Sequence, residues 1–280
     1  MKKNALFSLS LWLAGALLAQ ADIPPVSAAV TTIDSEGGIT ITCANLPKIS
    51  MKKVQGGTFQ MGTPADQDGA SEDDERPVHE VVLSSFAIGR YEVTQELWEA
   101  VMGSNPADPG EDLQTPVYNV SWKMVHTFIQ KLNQHPAIRQ AGHVFRLPTE
   151  AEWEFAARGG TLSKGFKYAG SNNIDDVAWY RQNSGNDVHP VGKKAPNELG
   201  LYDMTGNVFE WCSDWYDTNY YASSFKVNPL GPTSGSSRIV RGGCWSFPAD
   251  KCRATYRATC DPGSEGLNIL GLRLVLDLDE

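Results

Sequence analysis

Apolar and small residues alternate through Val54-Gln55-Gly56-Gly57-Thr58-Phe59-Gln60-Met61-Gly62, which predicts a strand and a turn. Val78-His79-Glu80-Val81-Val82-Leu83 alternates again, and Phe86-Ala87-Ile88 continues the sheet. The spacing then becomes helical. Thr94 is an N-cap before Leu97, Trp98, Val101 and Met102. Ser121 caps a second helix carrying Trp122, Val125, Phe128, Ile129 and Leu132 on one face. Thr149-Glu150-Ala151-Glu152 is a capping box, and the helix behind it should bury Trp153, Ala156 and Ala157. Beyond residue 160, Gly, Asn, Asp, Ser and Pro dominate and the apolar runs are too short for helices. Short strands between long loops are expected there. No repeat or interdomain linker interrupts the chain, so the pattern reads as one loop-rich α+β domain.

The two ends of the pattern differ from the middle. Met1-Lys2-Lys3-Asn4 is followed by an apolar run from Ala5 to Ala19, and Ala19-Gln20-Ala21 fits a small-x-small cleavage site. That is a secretory signal peptide over residues 1–21, with Asp22 as the new N-terminus and a periplasmic or secreted destination. Residues 22–49 are rich in Pro, Ser, Thr and Gly and are expected to form an extended N-terminal segment before a domain at 50–280. No later stretch reaches the ~20 apolar residues of a membrane span, so no integral membrane span is expected.

Composition narrows the partners. Of 280 residues, 41% are hydrophobic and 20% charged, which is ordinary for a globular chain. The net charge of −9 argues against a nucleic-acid backbone as partner. The acids Asp66, Asp68, Glu72, Asp73, Asp74 and Glu75 read as a solvated loop rather than a cation site. His79, His126, His135, His143 and His189 are scattered without metal-ligand spacing. Ser246 lacks the surroundings of a hydrolase nucleophile. Export places Cys43, Cys212, Cys244, Cys252 and Cys260 where disulfides are allowed, and an odd count leaves at least one unpaired within the chain.

Seven motifs, in order, resemble the formylglycine-generating enzyme family, or sulfatase-modifying factor domain. They begin with Gly56-Gly57-Thr58-Phe59-Gln60-Met61-Gly62, Tyr91-Glu92-Val93-Thr94 and Pro116-Val117-Tyr118-Asn119-Val120-Ser121-Trp122. Arg146-Leu147-Pro148-Thr149-Glu150-Ala151-Glu152-Trp153-Glu154 follows, then Gly200-Leu201-Tyr202-Asp203-Met204-Thr205-Gly206-Asn207-Val208-Phe209-Glu210-Trp211. Arg241-Gly242-Gly243-Cys244-Trp245 and Leu270-Gly271-Leu272-Arg273-Leu274 close the series. The resemblance implies a variant of the C-type-lectin fold with a surface groove. It also implies oxidation of a substrate cysteine to formylglycine with O2 and copper, held by two cysteines at the fourth and ninth positions after a Gly-Gly turn. Here those positions are Phe247 and Cys252. A phenyl ring cannot replace a soft sulfur ligand, so copper is not expected and the oxidase activity is in doubt. A reduced pair of Cys244 and Cys252 would be the only substitute. The disulfides that the resemblance suggests instead are Cys244–Cys260 and Cys212–Cys252, with Cys43 left over.

The resemblance further implies calcium at Asp203, Gly206, Val208 and Glu210, two carboxylates and two carbonyls suited to an oxygen-seeking cation. The family's other calcium site has no convincing match at Asn172-Asn173-Ile174-Asp175-Asp176. Trp245, Phe247, Cys252 and Arg257 are expected to line the groove, for a peptide, a small organic ligand or a protein partner. Arg253, Arg257 and Arg273 either frame an anionic ligand or pair with buried acids such as Glu210. The first expectation is an exported binding or accessory protein. The alternatives are a divergent periplasmic oxidoreductase, as in siderophore maturation, and a formylglycine-generating enzyme. Family members using non-haem iron carry a further His-rich domain, which has no counterpart here. A hypervariable lectin-like binder is disfavoured, because Asn268 is the only asparagine between Asp261 and Gly271.

Overall fold

A computed structural model describes residues 27–64, 72–108 and 112–278. The signal peptide at 1–21, the start at Asp22 and the acids Asp66 and Asp68 lie outside the described residues. Three predicted helices are present with their caps. Helix α1 (Gln95–Met102) starts at Thr94, whose hydroxyl accepts the Leu97 N–H at 3.3 Å. Helix α2 (Trp122–Gln134) starts at Ser121 and buries Val125, Phe128, Ile129 and Leu132. It leads into the short α3 (Pro136–Gln140). Helix α4 (Glu150–Ala157) has the capping box of Thr149 and Glu152. A single turn, α5 (Ile174–Val177), completes the α-helices.

The largest sheet joins β1 (Val30–Ile33), β2 (Gly38–Thr42), β3 (Ile49–Val54), β6 (Phe86–Gly89), β12 (Val275–Leu276) and β7 (Phe145–Arg146), in that order. The sheet therefore reaches further toward the N-terminus than expected. Residues 30–42, read from composition as an extended leader, form a hairpin, and Ile39 pairs with Met51 across β2 and β3. Ile39 and Ile41 are buried, and that alternation is the signal a composition-based reading overlooked. The predicted strands β4 (Gly57–Met61) and β5 (His79–Leu83) pair as a separate hairpin, so Phe86-Ala87-Ile88 does not continue their sheet as expected but joins β3 in the larger one. A third sheet, ordered β10 (Ala258–Cys260), β9 (Arg238–Arg241), β8 (Phe209–Trp215), β11 (Leu270–Gly271), is built from the loop-rich half. Among the described residues no helix is long and apolar enough to cross a membrane.

Buried ion pairs tie these parts together. All eight residues of α4 are buried, not only Trp153, Ala156 and Ala157. Its acids Glu150, Glu152 and Glu154 face Arg257, Arg146 and Arg241 respectively. Arg253 forks onto Glu75 at 2.6 Å through each of two nitrogens, and Arg257 onto Glu150 at 2.7 and 2.9 Å. Arg273, one residue from the last strands, reaches Glu210 on β8 at 2.7 Å and the Gly89 carbonyl at 2.9 Å. Of the two roles open to Arg253, Arg257 and Arg273, the structure selects pairing with core acids.

Asp214 is among the buried acids without such a partner. Asp214 on β8 accepts the Glu150 N–H at 2.9 Å and the Ser213 hydroxyl at 3.1 Å. Burial, then the negative charge of Glu150, pushes it up to about 7. A carboxyl raised above its unfolded value near ~3.9 stabilises the fold in its protonated form. That contribution is complete below about pH 4 and is lost as pH rises through 7. Asp214→Asn should therefore flatten the fall in stability between pH 5 and 8, by at most on the order of 3 kcal/mol. Urea midpoints at both pH values check this; equal slopes for variant and parent would refute it.

Candidate functional site

The turn after Gly243 places the cysteine pair. Gly243 has φ +77°, and a Cβ added there would lie 2.5 Å from the Cys252 sulfur. Glycine is needed on both counts, since the left-handed backbone and the close approach exclude a side chain. The Cys244 N–H hydrogen-bonds the Cys252 sulfur, so the two residues are neighbours. Both are fully buried. Burial, then the proximity of Cys244, pushes the Cys252 thiol up to about 12. Burial likewise raises Cys244, whose sulfur lies 3.3 Å from the Ser246 hydroxyl. Both stay protonated at neutral pH, which makes them weak nucleophiles. All five cysteines are free thiols. The Cys244–Cys260 and Cys212–Cys252 bridges suggested by the resemblance are therefore not formed. Cys212 packs in the core cluster around Trp153, whereas Cys252 packs with Tyr168, Ile174 and Tyr180.

Phe247 occupies the position where the resemblance would require a thiolate. Its ring meets Phe209 edge-on, with centroids 5.1 Å apart and planes at 90°. Together they wall a cavity of about 360 Å³ on one face of the β8–β11 sheet. Of the four expected groove residues, Phe247 and Arg257 line this cavity. Arg257 brings no free charge, because Glu150 holds its guanidinium. Cys252 is buried in the other cluster, and the Trp245 indole is turned to the Asn268 carbonyl at 3.1 Å. Tyr216, Tyr256, Cys260 and Leu267 line the cavity instead. They come from three separate segments, around residues 216, 256–260 and 267, so no local sequence pattern marks them.

The expected calcium ligands are only partly brought together. Asp203 has φ 58°, and its Oδ2 accepts the Gly192 N–H at 2.7 Å. Its Oδ1 is buried with no hydrogen-bond partner among the described residues. Glu210 is not free to bind a cation, because Arg273 and the Trp153 indole N–H (2.7 Å) engage its carboxylate. The acid that faces this site is Glu92, which the sequence reading left without a role. It accepts the Asn207 side-chain N–H at 2.8 Å and the Val208 N–H at 3.1 Å. Burial, then Asp203 and Glu210, pushes Glu92 well above the usual carboxylate range, and burial pushes Asp203 up to about 6. Among the described residues no three His, Cys, Asp or Glu side chains form a metal-holding cluster. A cation here would depend on backbone carbonyls as well. Gly206 has φ +78° and packs its backbone against Trp179, where a Cβ would lie 2.2 Å from the Trp179 carbonyl oxygen, so the turn requires glycine there.

Residues 42–278 match the sulfatase-modifying factor enzyme 1-like domain family. The chain belongs to this family. A chaperone protein LppX from Paenibacillus barcinonensis is 34% identical, over 79% of this chain and 87% of that one. The formylglycine-generating enzyme of Streptomyces coelicolor is 32% identical, over 81% and 89%. Among solved structures, Treponema denticola variable protein 1 superposes with a TM-score of 0.74 at 34% identity, covering 85% of this chain and 98% of that one. PvdO from Pseudomonas aeruginosa superposes at 0.69 with 27% identity, covering 90% and 99%. The fold is thus the expected single α+β domain of the formylglycine-generating-enzyme type.

Proposed function

We propose that this family member is an exported binding or accessory protein and not a formylglycine-generating oxidase. The observation that carries the reading is the apolar ring of Phe247 beside a fully buried, protonated Cys252. Copper oxidation of a cysteine needs two thiolates facing a substrate thiol. Cys252 faces the protein interior among Tyr168, Ile174 and Tyr180, and the cavity on the other side of Phe247, which it does not line, is walled by phenyl and phenol rings. Such a cavity takes a bulky apolar group of a peptide or small organic ligand. Similarity to a protein named as a chaperone supports an accessory role.

Calcium is proposed as a structural ion beside Asp203. Asp203 Oδ1, Glu92 and the backbone of residues 206–208 would hold it, and it would neutralise acids that otherwise share only Arg273. A second reading, a divergent oxidoreductase, draws on the neighbouring Cys244 and Cys252 thiols and the similarity to PvdO.

Incubation of the purified protein with Cu(I), O2 and a cysteine-bearing sulfatase peptide separates these readings. The accessory role predicts no aldehyde on the peptide and no O2 uptake above the peptide blank. Conversion of the peptide would overturn it. O2 uptake without aldehyde would favour the second reading.

A further inference from the structure

A further cavity lies away from the groove and from Cys244 and Cys252. It encloses about 540 Å³ between the end of β5, helix α2, β7 and the segment around Leu230. Leu83, Phe86, Ile129, Leu147 and Leu230 give it an apolar body. Its volume falls within the ~300–1,000 Å³ of small-molecule sites. Leu230 is 71% exposed at the rim, and Val227 and Phe225 on the same segment are 60% and 74% exposed. Three large apolar side chains left to solvent within six residues mark a surface built to be covered.

The charge on the wall is unbalanced. Glu152 holds Arg146 through both terminal nitrogens at 2.7 Å each, and Asp277 Oδ1 accepts from Arg146 Nε at 2.7 Å. One guanidinium therefore serves two carboxylates, leaving one negative charge in excess. Asp277 is half exposed, and its Oδ2 has no partner among the described residues. On the rim segment Lys226 is engaged by Glu80 at 2.5 Å, and Arg238, which donates to the carbonyl of the lining Ser213, is stacked on the Trp122 and Trp215 rings and is not itself a lining residue. His126 lines the opposite wall with no hydrogen-bond partner among the described residues. Burial, then the charge of Arg238, lowers its pKa, so it stays neutral at pH 7 and adds no positive charge.

We propose that this cavity is a second binding site, for a small cationic amphiphile whose apolar body fills the Leu83–Leu147 pocket and whose ammonium or guanidinium end meets Asp277. The site is independent of the groove reading, because no residue lines both cavities.

Two dansyl probes of matched length test it on the full chain by fluorescence titration. One ends in an ammonium (dansylcadaverine) and the other in a carboxylate (dansyl-6-aminohexanoate). The cationic probe should bind about two- to fivefold more tightly, the range expected of one half-exposed ion pair. Asp277→Asn should remove that preference while Glu152 keeps Arg146 in place. Leu230→Ser, at an exposed position, should weaken both probes about threefold and leave the preference intact. Equal affinity of the parent for both probes, no binding of either, or a preference that survives Asp277→Asn would overturn the proposal.

Discussion

Urea unfolding of an Arg273→Leu variant is expected to show a loss of about 3–5 kcal/mol. Arg273 is fully buried, and it is the guanidinium that neutralises Glu210. Without it, Glu210 keeps only the Trp153 indole N–H in a dry interior. The Gly89 and Tyr202 carbonyls lose donors in the same step. An unpaired buried charge costs far more than the pair contributes, so the sign does not depend on whether the pair itself is stabilising. The double variant Arg273→Leu with Glu210→Leu should recover a substantial part of the loss, because it leaves no stranded charge. A single variant with near-parental stability, or a double variant worse than the sum of both singles, would show that Glu210 has another counter-charge.

Chelation is expected to give the second large effect. Saturating calcium at a hundred times its Kd adds about 2.7 kcal/mol to the folded state. For a domain of this size that is roughly 5–10 °C in Tm. Dialysis against EGTA should remove the increment, and re-addition of calcium should restore it. Asp203→Ala should abolish the response, because it removes the buried oxygen that has no protein partner. Glu92→Gln should weaken it more than Glu210→Gln weakens calcium affinity, since Arg273 already engages Glu210. Identical melting with and without EGTA would count against calcium at this site.

The helices were legible in the sequence because their signals are local. Thr94, Ser121 and Thr149 each cap the turn that follows them, and periodicity marks the buried faces behind. Partners far apart in the chain were not legible. Glu150 looks like an ordinary first-turn acid until Arg257, 107 residues away, closes on it. Glu92 and Val208 meet across 116 residues, and the Tyr91-Glu92-Val93-Thr94 motif gives no hint of that contact. The cavity behind Phe247 is assembled from β8, β9, β10 and the loop before β11, so its lining follows from topology, not from spacing. The departure at Phe247, by contrast, was legible from position alone, because the Gly242-Gly243 turn sets the count.

A Cu(I) competition titration against a bicinchoninate complex, run on the reduced parent and on Phe247→Cys, tests the central claim most directly. The parent should leave the copper with the competitor, while the variant, with a second sulfur beside Cys252, should withdraw up to one equivalent. Stoichiometric capture of Cu(I) by the parent would contradict the account.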